Sequence, residues 1–241
     1  MKPSGFLHAP RIANLHAPPF AHRIATGELF PWRKLLPVLS WSISNMYPSP
    51  GNVKPAFSQQ AWIDQHMPAV QGAIGNKEVF KNTDFVYQII CGPNARNDFH
   101  IDPWDEIFFQ LKGHIFVNYI DEHGQTQVQR INEGELFLLP KHVPHSPRRP
   151  PGSVGLVIEL PRKPDEKDSA AWFCENCGNL LHRVDFWCDD IEKGIKEIIF
   201  AFNDNLEQRT CKHCASVLPD PRTFAHWDEQ GNPLRDCDKP R

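Results

Sequence analysis

Six short runs rich in β-branched and aromatic residues follow one another from Asp84 onward. They are Phe85 to Cys91, Glu106 to Lys112, His114 to Ile120, Gln125 to Ile131, Glu135 to Leu139 and Val154 to Leu160. Turn-forming residues separate them at Gly92-Pro93-Asn94, Gly113, His123-Gly124, Glu133-Gly134 and Pro150-Pro151-Gly152. Closely spaced strands without intervening helices predict an antiparallel barrel or sandwich, a mainly β fold. A helical period enters only later. Ile191, Ile195, Ile198, Ile199 and Phe202 recur at spacings of three and four, predicting an amphipathic helix over Asp185 to Leu206. Residues 1 to 55 contain Pro10, Pro18, Pro19, Pro31, Pro37, Pro48, Pro50 and Pro55 and no sustained apolar period, so they are expected to be irregular.

Length and charge narrow the class. A chain of 241 residues suits one domain of ordinary size with a small appendage. With 26 basic against 29 acidic side chains the net charge is −3, too small a field to collect nucleic acid or an anionic membrane. A small-molecule partner fits this balance. No apolar run reaches the roughly 18 residues of a membrane span, and the N-terminus lacks the pattern of a secretory signal, so a soluble, cytoplasmic protein is expected. Residues 1 to 55 carry one acidic residue, Glu28, among several basic ones, a weak transit-peptide pattern that the prolines oppose; the alternative is a start at Met46.

Four of the seven cysteines form two CxxC pairs, Cys174-Glu-Asn-Cys177 and Cys211-Lys-His-Cys214, with 33 residues between them. That spacing lets four thiolates converge tetrahedrally, and a structural iron or zinc is the expected occupant. His182 and His213 lie close by, but four thiolates close the shell without them. Cys91, Cys188 and Cys237 stand alone and read as buried or incidental thiols.

Two further patches carry metal-ligand residue types: Arg96 to Glu106, and Pro140 to Arg149. His100, Asp102 and Glu106 share parity, so an extended chain sends them to one face unless the turn at Pro103 reverses the phase. His145 then completes two histidines and one carboxylate, a set that suits iron(II) with open positions for oxygen and substrate. Spacing alone does not raise this trio above ordinary buried histidines and a strand glutamate.

Gly92, His100, Glu106 and Gly113, followed by Gly134, Pro140 and His145, resemble the two motifs of the cupin superfamily. Asp102 stands where many cupins have a second histidine, and His142 where the second motif has glycine. The strings GPNAR, HIDPWDEIFFQLKG, EGELFLLP, HVPHSPRRP and GLVIE are similar to the 3-hydroxyanthranilate 3,4-dioxygenase family, from about Trp62 to about Cys214. The resemblance implies a cupin-type antiparallel β-barrel, or jelly roll, with a small C-terminal α-helical, four-cysteine metal-binding appendage. It also implies opening of the 3-hydroxyanthranilate ring with O2, giving 2-amino-3-carboxymuconate semialdehyde, the precursor of quinolinate.

Carried onto this chain, the family's Fe(2+) ligands fall on His100, Glu106 and His145, and its substrate contacts on Arg96, Arg149 and Glu159. The two arginines would hold the substrate carboxylate, and Glu159 would accept a hydrogen bond from its amino or hydroxyl group and move protons. Asp98 is expected to orient a ligand or an arginine. Bacterial relatives carry a rubredoxin-like cysteine site and form homodimers, so both are implied here. Trp104 and Arg148 depart from the family pattern, which leaves another aminophenol as an alternative substrate and a non-catalytic metal-binding cupin as an alternative role. The expected organisation is an extension over 1–55, a barrel over 56–165 and a helix with the cysteine module over 166–241.

Overall fold

A strand with apolar side chains on alternate positions needs an interior on one side, and this chain supplies it by facing two antiparallel sheets. In the computed structural model the described residues are 53–70, 75–94, 96–223, 226–228 and 233–234. The expectations for residues 1–52, Met46 among them, and for Cys237 lie outside these. Helix α1 spans Gln59–Val70. The first sheet orders β1 (Asn76–Glu78), β2 (Val86–Cys91), β9 (Val154–Glu159), β4 (Glu106–Lys112) and β7 (Leu136–Leu139). The second orders β11 (Leu180–Phe186), β10 (Asp168–Phe173), β3 (Phe99–Ile101), β8 (His145–Arg148), β5 (His114–Ile120) and β6 (Thr126–Asn132).

Strand β4 shows how the alternation is used. Glu106, Phe108 and Gln110 are buried, whereas Ile107 points outward. Phe108 meets Leu139 and Val157 of its own sheet and Ile115, Val117 and Ile131 of the other in one core cluster, so the barrel closes over this end. A second cluster fills the space behind β2 and β9, where Ile89, Cys91, Val154 and Leu156 pack with Ile63 of α1. That cover explains why β9 is buried on nearly every residue instead of every second one.

One expectation is corrected. The helix is α2, Gly194–Asn203, and covers only part of Asp185 to Leu206. Asp185 and Phe186 belong to β11, where they pair with Ser169 and Asp168. The Asp190 side chain accepts from the Glu192 amide at 2.9 Å, fixing a turn before the helix begins. Strand β10, beyond the expected boundary at 165, pairs with β3 of the second sheet. The residues from Ala56 onward form one unit. Helix α2 closes the far side of β10 through Ile195, Ile199 and Phe202, with the Phe202 ring stacked on Trp172 at 4.1 Å.

Among the described residues no helix is long and apolar enough to cross a membrane.

Candidate metal centre

His100 and His145 are direct cross-strand neighbours on β3 and β8, with ring centroids 5.3 Å apart. Glu106 opens β4 on the facing sheet. The three side chains are buried and converge from both sheets, with ligand atoms within 4.8 Å of one another. The parity argument does not account for this, because the chain turns between β3 and β4 and leaves His100 and Glu106 on different sheets.

Hydrogen bonding decides which imidazole nitrogen is free. His145 Nδ1 donates to the Val143 carbonyl at 3.0 Å, which leaves Nε2 as the lone-pair nitrogen of the neutral ring. That Nε2 lies 2.8 Å from Glu106 Oε2, yet Oε2 has no hydrogen-bond donor. Two buried acceptor atoms that close are set to share a cation, which is a proton on Nε2 where no metal binds and can be a divalent metal in its place. At His100 the bond is inverted: Nε2 donates to Asp168 Oδ2 at 2.7 Å, leaving the other nitrogen available. A carboxylate behind a metal-binding histidine fixes its tautomer and raises its basicity. The residues present therefore fit a divalent metal. Burial works to raise the Glu106 carboxyl, but the neighbouring His145 outweighs it and holds the group at about 2. His145 is raised in return, so a metal must displace a proton to bind there.

Behind this trio lies a buried charge network that the sequence did not announce. Arg162 donates to Asp168 through Nε and Nη2 at 2.6 Å each, to Glu159 through Nη1 at 2.8 Å and to Asp102 through Nη2 at 2.5 Å. Burial would raise Asp168, but His100 and Arg162 hold it at about 2. Burial and the neighbouring Glu159 carboxylate push Asp102 up instead. Arg162 sits between Pro161 and Pro164, a setting that reads as a surface turn, and only the folded chain brings the three carboxylates to it.

The pocket beside the trio is lined by Arg96, Arg149, Glu159, Gln88, Asn76 and Asn94, with Ile191 and Ile195 from the C-terminal region. Arg149 is 1% exposed, and both Nη1 and Nη2 lack a hydrogen-bond partner. Burial pushes its guanidinium down to about 10. Asn94 fixes the backbone beneath it, accepting from the Arg149 amide at 2.8 Å. Arg96 is already engaged, with Nε and Nη2 donating to Asp98 at 2.9 and 2.6 Å. Asp98 thus orients an arginine. Glu159 is held from both oxygens, by Gln88 Nε2 at 2.9 Å and by Arg162.

The two residues that depart from the family pattern stay out of this pocket. Trp104 donates to Glu166 at 2.8 Å under the Lys163 ammonium, and the Arg148 guanidinium caps the Arg96 carbonyl. His142, in place of the motif glycine, has φ 64°, the left-handed conformation that glycine adopts freely.

Cys174, Cys177, Cys211 and Cys214 also converge, with Sγ to Sγ distances of 3.5 Å for Cys174 and Cys214 and 3.6 Å for Cys177 and Cys211. Each pair sits in the same tight turn: the Gly178 amide donates to the Cys174 carbonyl, and the Ala215 amide to the Cys211 carbonyl, at 2.8 Å in both cases. Gly178 and Ala215 have φ of 70° and 61°. Neither His182 nor His213 is part of the cluster.

A family model described as 3-hydroxyanthranilic acid dioxygenase matches residues 52–203. Curated proteins named 3-hydroxyanthranilate 3,4-dioxygenase align with this chain. The protein from Bacillus thuringiensis is 42% identical, covering 68% of this chain and 92% of its own. Those from Shewanella woodyi and Jannaschia sp. are each 41% identical over 71% of this chain, covering 91% and 96% of their own lengths. The two-sheet barrel, the His and Glu trio between its sheets and this similarity agree: the chain belongs to the 3-hydroxyanthranilic acid dioxygenase family of ring-cleaving oxidoreductases.

Proposed function

We propose that this protein is an iron(II)-dependent dioxygenase that opens the ring of 3-hydroxyanthranilate, with His100, Glu106 and His145 holding the iron. The observation that carries the substrate choice is the buried Arg149 guanidinium, which lines the pocket and whose two terminal nitrogens have no hydrogen-bond partner. A desolvated cation with a free planar fork calls for a carboxylate. It stands in the same pocket as the metal trio, where an aminophenol carboxylate would reach it.

Held by His100, Glu106 and His145, iron(II) would supply a Lewis-acidic centre for the aminophenol and O2. The chain's own residues do the rest. Arg149 receives the carboxylate with both nitrogens, and Arg96 adds a third cationic donor nitrogen while Asp98 restrains it. Fixing the carboxylate selects which ring bond faces the oxygen, the one between the hydroxyl-bearing carbon and its unsubstituted neighbour. Glu159, held by Gln88 and Arg162, accepts a hydrogen bond from the amino or hydroxyl group. The barrel wall at Phe108 and Val157 keeps water from the reacting ring. Both oxygen atoms enter the product, 2-amino-3-carboxymuconate semialdehyde, and no external reductant is required.

The four thiolates are read as a closed structural iron or zinc site. A cytoplasmic location, where thiols stay reduced, fits four cysteines that hold a metal. A homodimer is part of the reading: Ile107, Leu136 and Leu138 form an exposed apolar patch on the outer face of β4 and β7, suited to a second copy. Sedimentation that returns a single-chain mass would remove the dimer alone.

The decisive experiment is oxygen uptake by iron(II)-loaded protein given 3-hydroxyanthranilate, with the product followed by its ultraviolet absorbance. Stoichiometric uptake with that product supports the assignment. Loaded protein that consumes oxygen only with another aminophenol moves the substrate, and no uptake with any aminophenol leaves a metal-binding cupin.

A further inference from the structure

Asn97 lies between Arg96, which lines the pocket, and Asp98, which holds Arg96, yet its own side chain bonds to the C-terminal region. Its Nδ2 donates to Asn203 Oδ1 at 2.9 Å and to the Pro219 carbonyl at 3.1 Å. Its Oδ1 accepts from Trp172 Nε1 at 3.0 Å and from Asn203 Nδ2 at 3.2 Å. Both donor hydrogens and both lone pairs are thereby used, which is the full capacity of an amide side chain.

The three partners belong to separate elements joined by the cysteine cluster. Trp172, on β10, is two residues before Cys174. Asn203 is the last residue of α2, is 1% exposed and is itself anchored to the Ile199 carbonyl at 2.9 Å. Pro219 is five residues after Cys214. Convergence of the thiols brings these three groups to one place, and Asn97 reads their common position. The neighbouring Phe99 ring meets Phe173 edge-on at 5.5 Å, so the same segment is pinned a second time. On the other side Arg96 and Asp98 are locked to each other.

We infer that Asn97 is a positioning residue through which the C-terminal module sets the place of Arg96, giving that module a role in substrate affinity beyond holding the fold together. The inference rests on the reading of Arg96 as a carboxylate contact. Loss of the Asn97 amide frees the segment on one side, and Arg96 then pays an ordering entropy on binding that the native chain has already lost. The effect is specific: a ligand with a carboxylate feels it and one without does not.

The test is anaerobic equilibrium binding to iron(II)-loaded protein, without turnover, of 3-hydroxyanthranilate and of 2-aminophenol, which lacks the carboxylate. For Asn97→Ala the expected result is a rise in Kd of about fivefold for 3-hydroxyanthranilate, with 2-aminophenol unchanged within about twofold. Asn203→Ala removes two of the four bonds from the opposite side and is expected to act in the same direction; it decides the matter if Asn97→Ala does not fold. Equal rises for both ligands, or none, would overturn the inference and leave Asn97 a stability residue. Arg96→Ala separates the two levels. If it lacks selective loss for 3-hydroxyanthranilate, the reading of Arg96 fails; if it shows that loss and the asparagine variants do not, only the coupling fails.

Discussion

Gly155 makes the room that the Arg149 guanidinium occupies: a Cβ added there would stand 2.4 Å from Arg149 Nη1 and 3.0 Å from Gln110 Oε1. The glycine lies on β9, directly across from Gln110 of β4, where backbone and arginine approach most closely. Gly155→Ala is therefore expected to displace Arg149 while leaving the metal trio in place. The kcat/KM for 3-hydroxyanthranilate should fall by about 10- to 100-fold, the loss of one or two charge-assisted hydrogen bonds, mostly through KM. Steady-state kinetics on 2-aminophenol should change little; an equal fall for both substrates would contradict the role given to Arg149.

Asp168 is the carboxylate behind His100. Asp168→Asn keeps the shape but removes the charge that orients and enriches the imidazole. Iron(II) affinity, measured by competition with a chelator, should drop by about 10- to 100-fold. Unchanged affinity would show that His100 is oriented by the strand alone or is not a ligand.

Arg162 balances three buried carboxylates at once. Arg162→Met leaves Asp102, Glu159 and Asp168 without their cation, at an expected cost of about 3–5 kcal/mol in denaturant unfolding. Arg162→Lys should recover part of it, since one ammonium cannot reproduce the fork to Asp168. A cost below about 1 kcal/mol would mean that the network is not coupled to stability.

Cys174→Ser removes one thiol of the four-cysteine cluster. The expected outcome is protein with one metal equivalent fewer and a lower Tm, with iron at the His and Glu site retained. Elemental analysis and calorimetry read both, and an unchanged Tm would argue against a structural metal there.

Acid stability carries the signature of Asp98. Burial works to raise this carboxyl, but the Arg96 guanidinium outweighs it and the folded group lies below its ordinary value of 3.8. The unfolded chain then takes up the proton first as pH falls. The contribution is fully present above the unfolded value of about 4 and is lost as pH drops through the folded one. Asp98→Asn should lower stability at neutral pH and flatten its decline on the acid side. Urea midpoints measured across that range would expose an identical slope, which would refute the assignment.

Much of this molecule was legible along the chain. The six runs named from the alternation match β2, β4, β5, β6, β7 and β9 to within about a residue at each end, because each is long enough to show its own period. The strands that escaped are β1 and β3, three residues each, the two-residue pair His226–Trp227 and Pro233–Leu234, β8, which contains Pro147, and β10 and β11, whose paired positions mix small, polar and apolar side chains. The helix over Asp185 to Leu206 was drawn too long because the isoleucine period continues into Ile191, which the fold places in a turn.

What the sequence determined by itself was the strand-rich class, the residue types able to hold a metal and the two CxxC pairs, since each is written in spacings shorter than one element. The tertiary structure alone decided that His100 stands across from His145, that Glu106 meets them from the opposite sheet, and that Arg162 and Asp168 stand behind them. The pairings of Glu106 with His145, His100 with His145 and His100 with Asp168 join residues 39 to 68 positions apart. No local period encodes such a pairing; it arises when two sheets bury their apolar faces against each other and carry these polar groups inside with them.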